Sequence, residues 1–271
     1  MAFTSVPAFT DAELYPSSDG QPMAENTVQY RWLVLIKENL ERLFADRPDV
    51  FVAGDLLWYP VAVTMPPAPR QAPDVMVVLG RPKGDRPSYK QFEEGGVPPQ
   101  VVFEILSESN RGRRGQAEMA TKFRFYEQYG VEEYYIYDPD RWELRGWQRQ
   151  GEMLVAIANP GRWVSPRLGM QFLWAPGTEL ALCLPNGELF LTPLEMAQER
   201  DRERQRRVEV EQQWQQAEER ATIEQERRQQ AEQQALAEQE RRQQAEQQAL
   251  AEQERRQQAE QQALAEQERR Q

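Results

Sequence analysis

The stretch PDVMVVLG (73–80), joined by a loop to QVVFEILSESN (100–110) and then to QAEMATKFRFYEQYG (116–130), decides the fold. DVMVVLG and QVVFEIL are near-continuous apolar runs, the pattern of strands covered on both faces. Each carries one acid: Asp74 opens the first run and Glu104 interrupts the second. A carboxylate inside a core strand is costly unless it is paired, hydrogen-bonded or bound to a cation. The third segment predicts a helix over 116–129 that holds Lys122 and stops at Gly130, a residue suited to a helix C-terminus.

Upstream, Trp32, Leu33, Ile36, Leu40, Leu43 and Phe44 recur at three- and four-residue steps, which predicts an amphipathic helix over 26–45. Asn26 or Thr27 caps it and Pro48 prevents its continuation. VFVAGDLLWYPV (50–61) is β-branched and aromatic and predicts a strand. Residues 81–99 show no period and read as a long loop of the kind that is often functional. Downstream, VEEYYIYDP predicts a third core strand over 132–138, ended by Asp138 and Pro139. Short alternating segments between 141 and 184 predict an antiparallel β meander, and NGELFLTP (186–193) a final strand or turn. Trp142, Trp147, Trp163 and Trp174 fall in this meander and read as core or rim residues rather than base-stacking platforms. The expected class is therefore α/β, with an αβββαβ core, an added meander and a long C-terminal helix.

The last part of the chain repeats with a period of 14. ALAEQERRQQAEQQ occurs at 235–248 and again at 249–262, after the variant ATIEQERRQQAEQQ at 221–234, and a partial copy follows at 263–271. Fourteen is two heptads, which points to a coiled coil. Against this, each unit offers one Leu or Ile plus alanines, and no heptad register fills both seam positions twice. Glu238, Arg242 and Glu246 stand four apart, and such pairs add about 0.2–0.5 kcal/mol each to an isolated helix. The expected organisation is an irregular leader (1–24), a core domain (25–195) and a charged helical tail (196–271).

Composition narrows the chemistry. The chain has no histidine, one cysteine (Cys183) and four lysines among 271 residues. Imidazole-dependent nucleophiles, histidine-ligated zinc, intrachain disulfides and cysteine-cluster metals are all excluded. Carboxylates, lysines, arginines and a hard metal ion remain. The net charge of −11 is the opposite of the usual nucleic-acid-binding footprint. No apolar run reaches the roughly 18–20 residues of a membrane span, and the N-terminus has neither the basic nor the apolar region of a secretory signal. The expected location is the cytoplasm.

The element order, together with PDVMVVLG, VVFEILSESN, GVEEYYIYDP and the leader YPSSDGQPMAEN, resembles the PD-(D/E)XK nuclease superfamily, and within it the bacterial restriction endonuclease family of the Uma-two type. The resemblance covers roughly residues 15–195. It implies Asp74 and Glu104 as ligands of Mg²⁺ or Mn²⁺, Glu25 as an acid contributed by the first helix, and DNA as substrate. One position departs from the pattern: two residues after the acid, where a lysine belongs, stands Leu106, and Lys122 is its natural substitute. Glu25 is equally readable as a charge favoured at a helix N-terminus, and Asp55 as a strand residue facing solvent. Arg111, Arg113 and Arg114 form a basic loop that serves as a candidate phosphate contact.

The site residues thus expected are Asp74, Glu104, Lys122 and Glu25. Two competing readings stand beside the Mg²⁺-dependent endonuclease. In one, a nuclease fold without activity works as an interaction or homo-oligomerisation module through its tail. In the other, Lys122 and Glu104 form a purely structural ion pair.

Overall fold

The computed structural model describes residues 9–269. Residues 1–8 of the expected leader and 270–271 of the expected tail lie outside it. The chain divides into two compact units, 1–198 and 199–271.

The first unit is built on a six-stranded mixed sheet. Its strands are β1 (Val50–Gly54), β3 (Val75–Leu79), β5 (Val101–Ile105), β6 (Glu133–Asp138), β7 (Glu143–Gln150) and β8 (Met153–Ala156), in that spatial order. β2 (Trp58–Tyr59) and β4 (Tyr89–Lys90) form a separate parallel pair, and β9 (Gln171–Leu173) and β10 (Ala181–Cys183) a separate antiparallel one. Within the main sheet only β5 and β6 run parallel. The helix between them makes the crossover such a pair needs.

Two helices cover the sheet. α1 (Asp11–Leu14) is a single turn in the leader. α2 (Thr27–Leu43) is capped by the Asn26 side chain, which accepts from the Gln29 N–H at 2.8 Å. Its stripe of Trp32, Leu33, Ile36 and Leu40 packs on Val50, Val52, Val75, Val77, Val101 and Phe103. Asn39, fully buried, donates to the carbonyls of Leu35 and Leu191 and accepts from the Leu191 N–H, which ties the end of the meander to this helix. The opposite face holds Met76, Val78, Val102, Tyr134 and Ile136 under Tyr126 of α3 (Arg113–Gln128). Alternation along β5 therefore sends Phe103 and Ile105 toward α2, and Val102 and Glu104 toward α3.

Several details differ from the sequence expectations. The run 50–61 is two strands, because Asp55 adopts φ 47° and turns the chain. Aspartate tolerates this left-handed conformation better than the β-branched residues around it. The loop 81–99 contains β4, held by the parallel pairing of Tyr89 with Trp58. α3 begins at Arg113 rather than at 116, after a short 3₁₀ turn (Glu108–Arg111). Gly115 permits this entry, since a Cβ there would lie 2.3 Å from the Ser109 carbonyl oxygen. The meander also divides: β7 and β8 extend the main sheet, while β9 and β10 pair apart from it.

α4 (Pro193–Arg269) carries the 14-residue repeats and is helical throughout. In successive copies Arg228 pairs with Glu224, Arg242 with Glu238 and Arg256 with Glu252, each at i,i+4. The glutamate precedes the arginine, the more stabilising order. Trp214, Ile223, Leu236 and Leu250 are exposed along this helix.

Candidate active site

The site forms where β3 begins, β5 ends and α3 lies across both. Val75 pairs with Phe103 in the antiparallel register, and one further step sets Asp74 across from Glu104. Both acids are buried, at 8% and 3% exposure. Asp74 Oδ2 accepts from the Ile105 N–H at 2.5 Å. Glu104 is gripped at both oxygens: Lys122 Nζ donates to Oε2 at 2.8 Å, and Tyr126 Oη donates to Oε1 at 2.5 Å. Lys122 and Tyr126 are one helical turn apart on α3, so they share the face that looks down on β5.

The electrostatics follow from this crowding. Burial, with the neighbouring Glu104 charge, pushes the Asp74 carboxyl up to about 8. Burial works to lower Lys122, but the charges of Glu104 and Asp74 prevail and raise it to about 12, so it stays an ammonium. Burial and the adjacent carboxylate push the Tyr126 phenol well above its usual range, which keeps it a donor. Asp55 lies close enough for burial, the Asp19 charge and that of Glu104 to raise its carboxyl, with Lys122 opposing.

The structure brings Asp74, Glu104 and Lys122 together. Glu25 lies just before α2, and its Oε2 accepts from Ser107 Oγ at 2.6 Å. Hydrogen bonds from Ser107 and Ser109 hold its carboxyl below the usual range. Leu106, at the position where a lysine was expected, is buried in the apolar cluster beneath α3. It lies on the same strand face as Glu104, so the amine that serves this face comes from the helix above. Arg111 is engaged by Asp138 at 3.1 Å and Asp140 at 2.5 Å. Arg113 and Arg114 are exposed in the first turn of α3 and make no ion pair among the described residues.

Sequence reasoning missed two participants. Tyr126 reads as a core aromatic, and only its i+4 spacing from Lys122 could have marked it. Gln29 donates to the Ile105 carbonyl at 2.9 Å from α2, a long-range contact with no local sequence signal.

Among the described residues no three His, Cys, Asp or Glu side chains gather closely enough to cage a metal by themselves. Mg²⁺ does not need such a cage; one or two carboxylates, waters and substrate phosphate oxygens suffice. The two buried carboxylates face each other across β3 and β5 on one face of the sheet, and such hard oxygen donors fit a cation of that kind.

A mixed sheet flanked by helices, with two acids and a lysine converging where β3 begins and β5 ends, makes this an α/β protein with a carboxylate–lysine cluster. The chain belongs to the Uma2 family, described as "Putative restriction endonuclease", whose match spans residues 13–183. Among solved structures it is similar to a "putative nuclease belonging to DUF820" from Anabaena variabilis, with 12% identity over 54% of this chain and 74% of the other and a TM-score of 0.37. A search of curated proteins finds no match. No helix among the described residues is long and apolar enough to cross a membrane.

Proposed function

We propose that the protein is a divalent-metal-dependent endonuclease that hydrolyses phosphodiester bonds of DNA. The observation that supports this most is the convergence of Asp74, Glu104 and Lys122 from two strands and a helix where β3 begins and β5 ends. Asp74 and Glu104 would hold Mg²⁺ or Mn²⁺. Such an ion, when bound, acidifies water and offsets charge at the scissile phosphate. Lys122, kept cationic by the two acids, orients the attacking water or stabilises the charge that develops on phosphate oxygens. Exposed Arg113 and Arg114 hold backbone phosphates away from the reacting bond, which the acidic remainder of the surface does not do. Glu25, anchored to Ser107, shapes the exit of β5. The chain is expected to work in the cytoplasm.

The test is cleavage of plasmid DNA with Mg²⁺ or Mn²⁺ by the full chain and by Glu104→Ala. The expected result is cleavage by the parent only; equal rates would remove Glu104 from the mechanism and defeat the reading.

A second reading is favoured by one observation: both oxygens of Glu104 already have protein donors, as a structural ion pair requires. It predicts that millimolar Mg²⁺ leaves the melting temperature unchanged. A Glu104-dependent rise in that temperature supports the metal-site reading instead.

A further inference from the structure

Tyr126 is the group at this site to which neither the superfamily pattern nor the proposed chemistry gives a part. Its phenol is fully buried, and its ring lies parallel to Trp58 at 6.3 Å and edge-on to Tyr134 at 5.0 Å. The ring is thus fixed by packing, and its one polar atom is spent on Glu104 Oε1. Nothing in the packing alone requires the hydroxyl; a phenylalanine would fill the same space. From the geometry we infer that Tyr126 is a positioning residue for Glu104, one that sets the carboxylate's rotation and leaves Oε2, the oxygen shared with Lys122, as the one that works on a divalent cation.

This rests on the metal-site reading proposed above. Two donors one helical turn apart hold the two oxygens of one carboxylate, and they differ in kind. Lys122 is a charged ammonium whose side chain keeps some exposure to solvent. Tyr126 is neutral, rigid and sealed from solvent. With the phenol holding Oε1, Glu104 would offer Oε2 to a cation, and the phenol would keep the carboxylate plane in place. Hydrogen bonds of this kind to metal-binding carboxylates are typically worth 10–100-fold in metal affinity.

The experiment is Mn²⁺ binding to the full chain, read by electron paramagnetic resonance, for the parent, Tyr126→Phe and Tyr135→Phe. Tyr135 is a control on the opposite face of the sheet, where its hydroxyl donates to the buried Glu133 carboxylate at 2.8 Å. The expected result is a 10–100-fold weaker Mn²⁺ affinity for Tyr126→Phe and an unchanged affinity for Tyr135→Phe. Equal binding by the parent and Tyr126→Phe overturns this proposal and leaves the metal reading standing. Absence of Mn²⁺ binding by the parent overturns both. A second measurement needs no variant: with ring-labelled tyrosine, the Tyr126 Cζ resonance is expected to shift on adding Mg²⁺ while that of Tyr135 does not. A Tyr126 resonance that stays fixed as Mg²⁺ binds also overturns the proposal.

Discussion

Lys122 and Glu104 balance each other inside a core, and removing one leaves the other charged and poorly solvated. Losing one partner of a buried pair typically costs about 3–5 kcal/mol. Lys122→Met is therefore expected to lose about that much stability, read from urea unfolding in the presence of a chelator. A loss below about 1 kcal/mol, the range of an exposed pair, would show that the contact carries little. At this scale the sequence was partly legible. Glu104 stood out because it is the one polar residue in VVFEIL, and Asp74 because it opens a strand of the same kind. Their mutual placement depends on the register between β3 and β5, which no local pattern encodes. Tyr126 was invisible for a different reason: a tyrosine on an amphipathic helix looks like packing, and its role depends on which strand residue happens to lie beneath it.

The loop joining β3 to β5 shows how an element with no periodic signal is held. Glu94 receives Arg86 at 2.6 Å and Arg81 at 2.9 Å, and the Arg86 guanidinium lies 4.0 Å from the centroid of the Phe51 ring. The hydrogen bond from Arg86 holds the Glu94 carboxyl below its ordinary value, against the opposing effect of burial. A carboxylate whose folded pKa is lowered contributes stability above its unfolded pKa, and that contribution is lost as pH falls through the folded value. Glu94→Gln is thus expected to lower the melting temperature at pH 7, and the drop is expected to shrink as pH falls below the ordinary carboxylate range; a drop that stays the same across an acid series would show that the carboxylate's charge is not what holds the loop. Long apolar runs such as β3, β5 and β6 announce themselves through composition. A two-residue pair such as β2 and β4 cannot, because its ladder pairs Trp58 with Tyr89 and Tyr59 with Lys90, far apart in sequence, and depends on the turn that Asp55 makes.

Across the whole molecule, the acidic balance sets the terms on which DNA can bind. With −11 overall and Arg111 already committed to Asp138 and Asp140, the uncommitted cations beside the site are few. If Arg113 and Arg114 make the phosphate contacts, two released counterions give a slope of log affinity against log salt of about −1.8, and Arg113→Ala reduces its magnitude by about 0.9. Binding measured with Ca²⁺ in place of Mg²⁺ across a salt series checks this. A steep slope that survives both arginine substitutions would place the contacts elsewhere. The absence of histidine was the most informative feature of composition, because it removed whole classes of chemistry before any fold was considered.

The C-terminal helix has a consequence for how such a chain changes over generations. Each 14-residue copy from 221 to 262 carries its own Glu–Arg pair, at 224/228, 238/242 and 252/256, and uses no residue of the next copy to make it. At 1.5 Å per residue one copy adds about 21 Å. Near-identical repeats in a coding sequence invite slippage during replication. Gain or loss of a unit would lengthen or shorten the rod in fixed steps, leaving each remaining pair intact, so the reach of this helix is a quantity that inheritance can adjust without redesigning anything else.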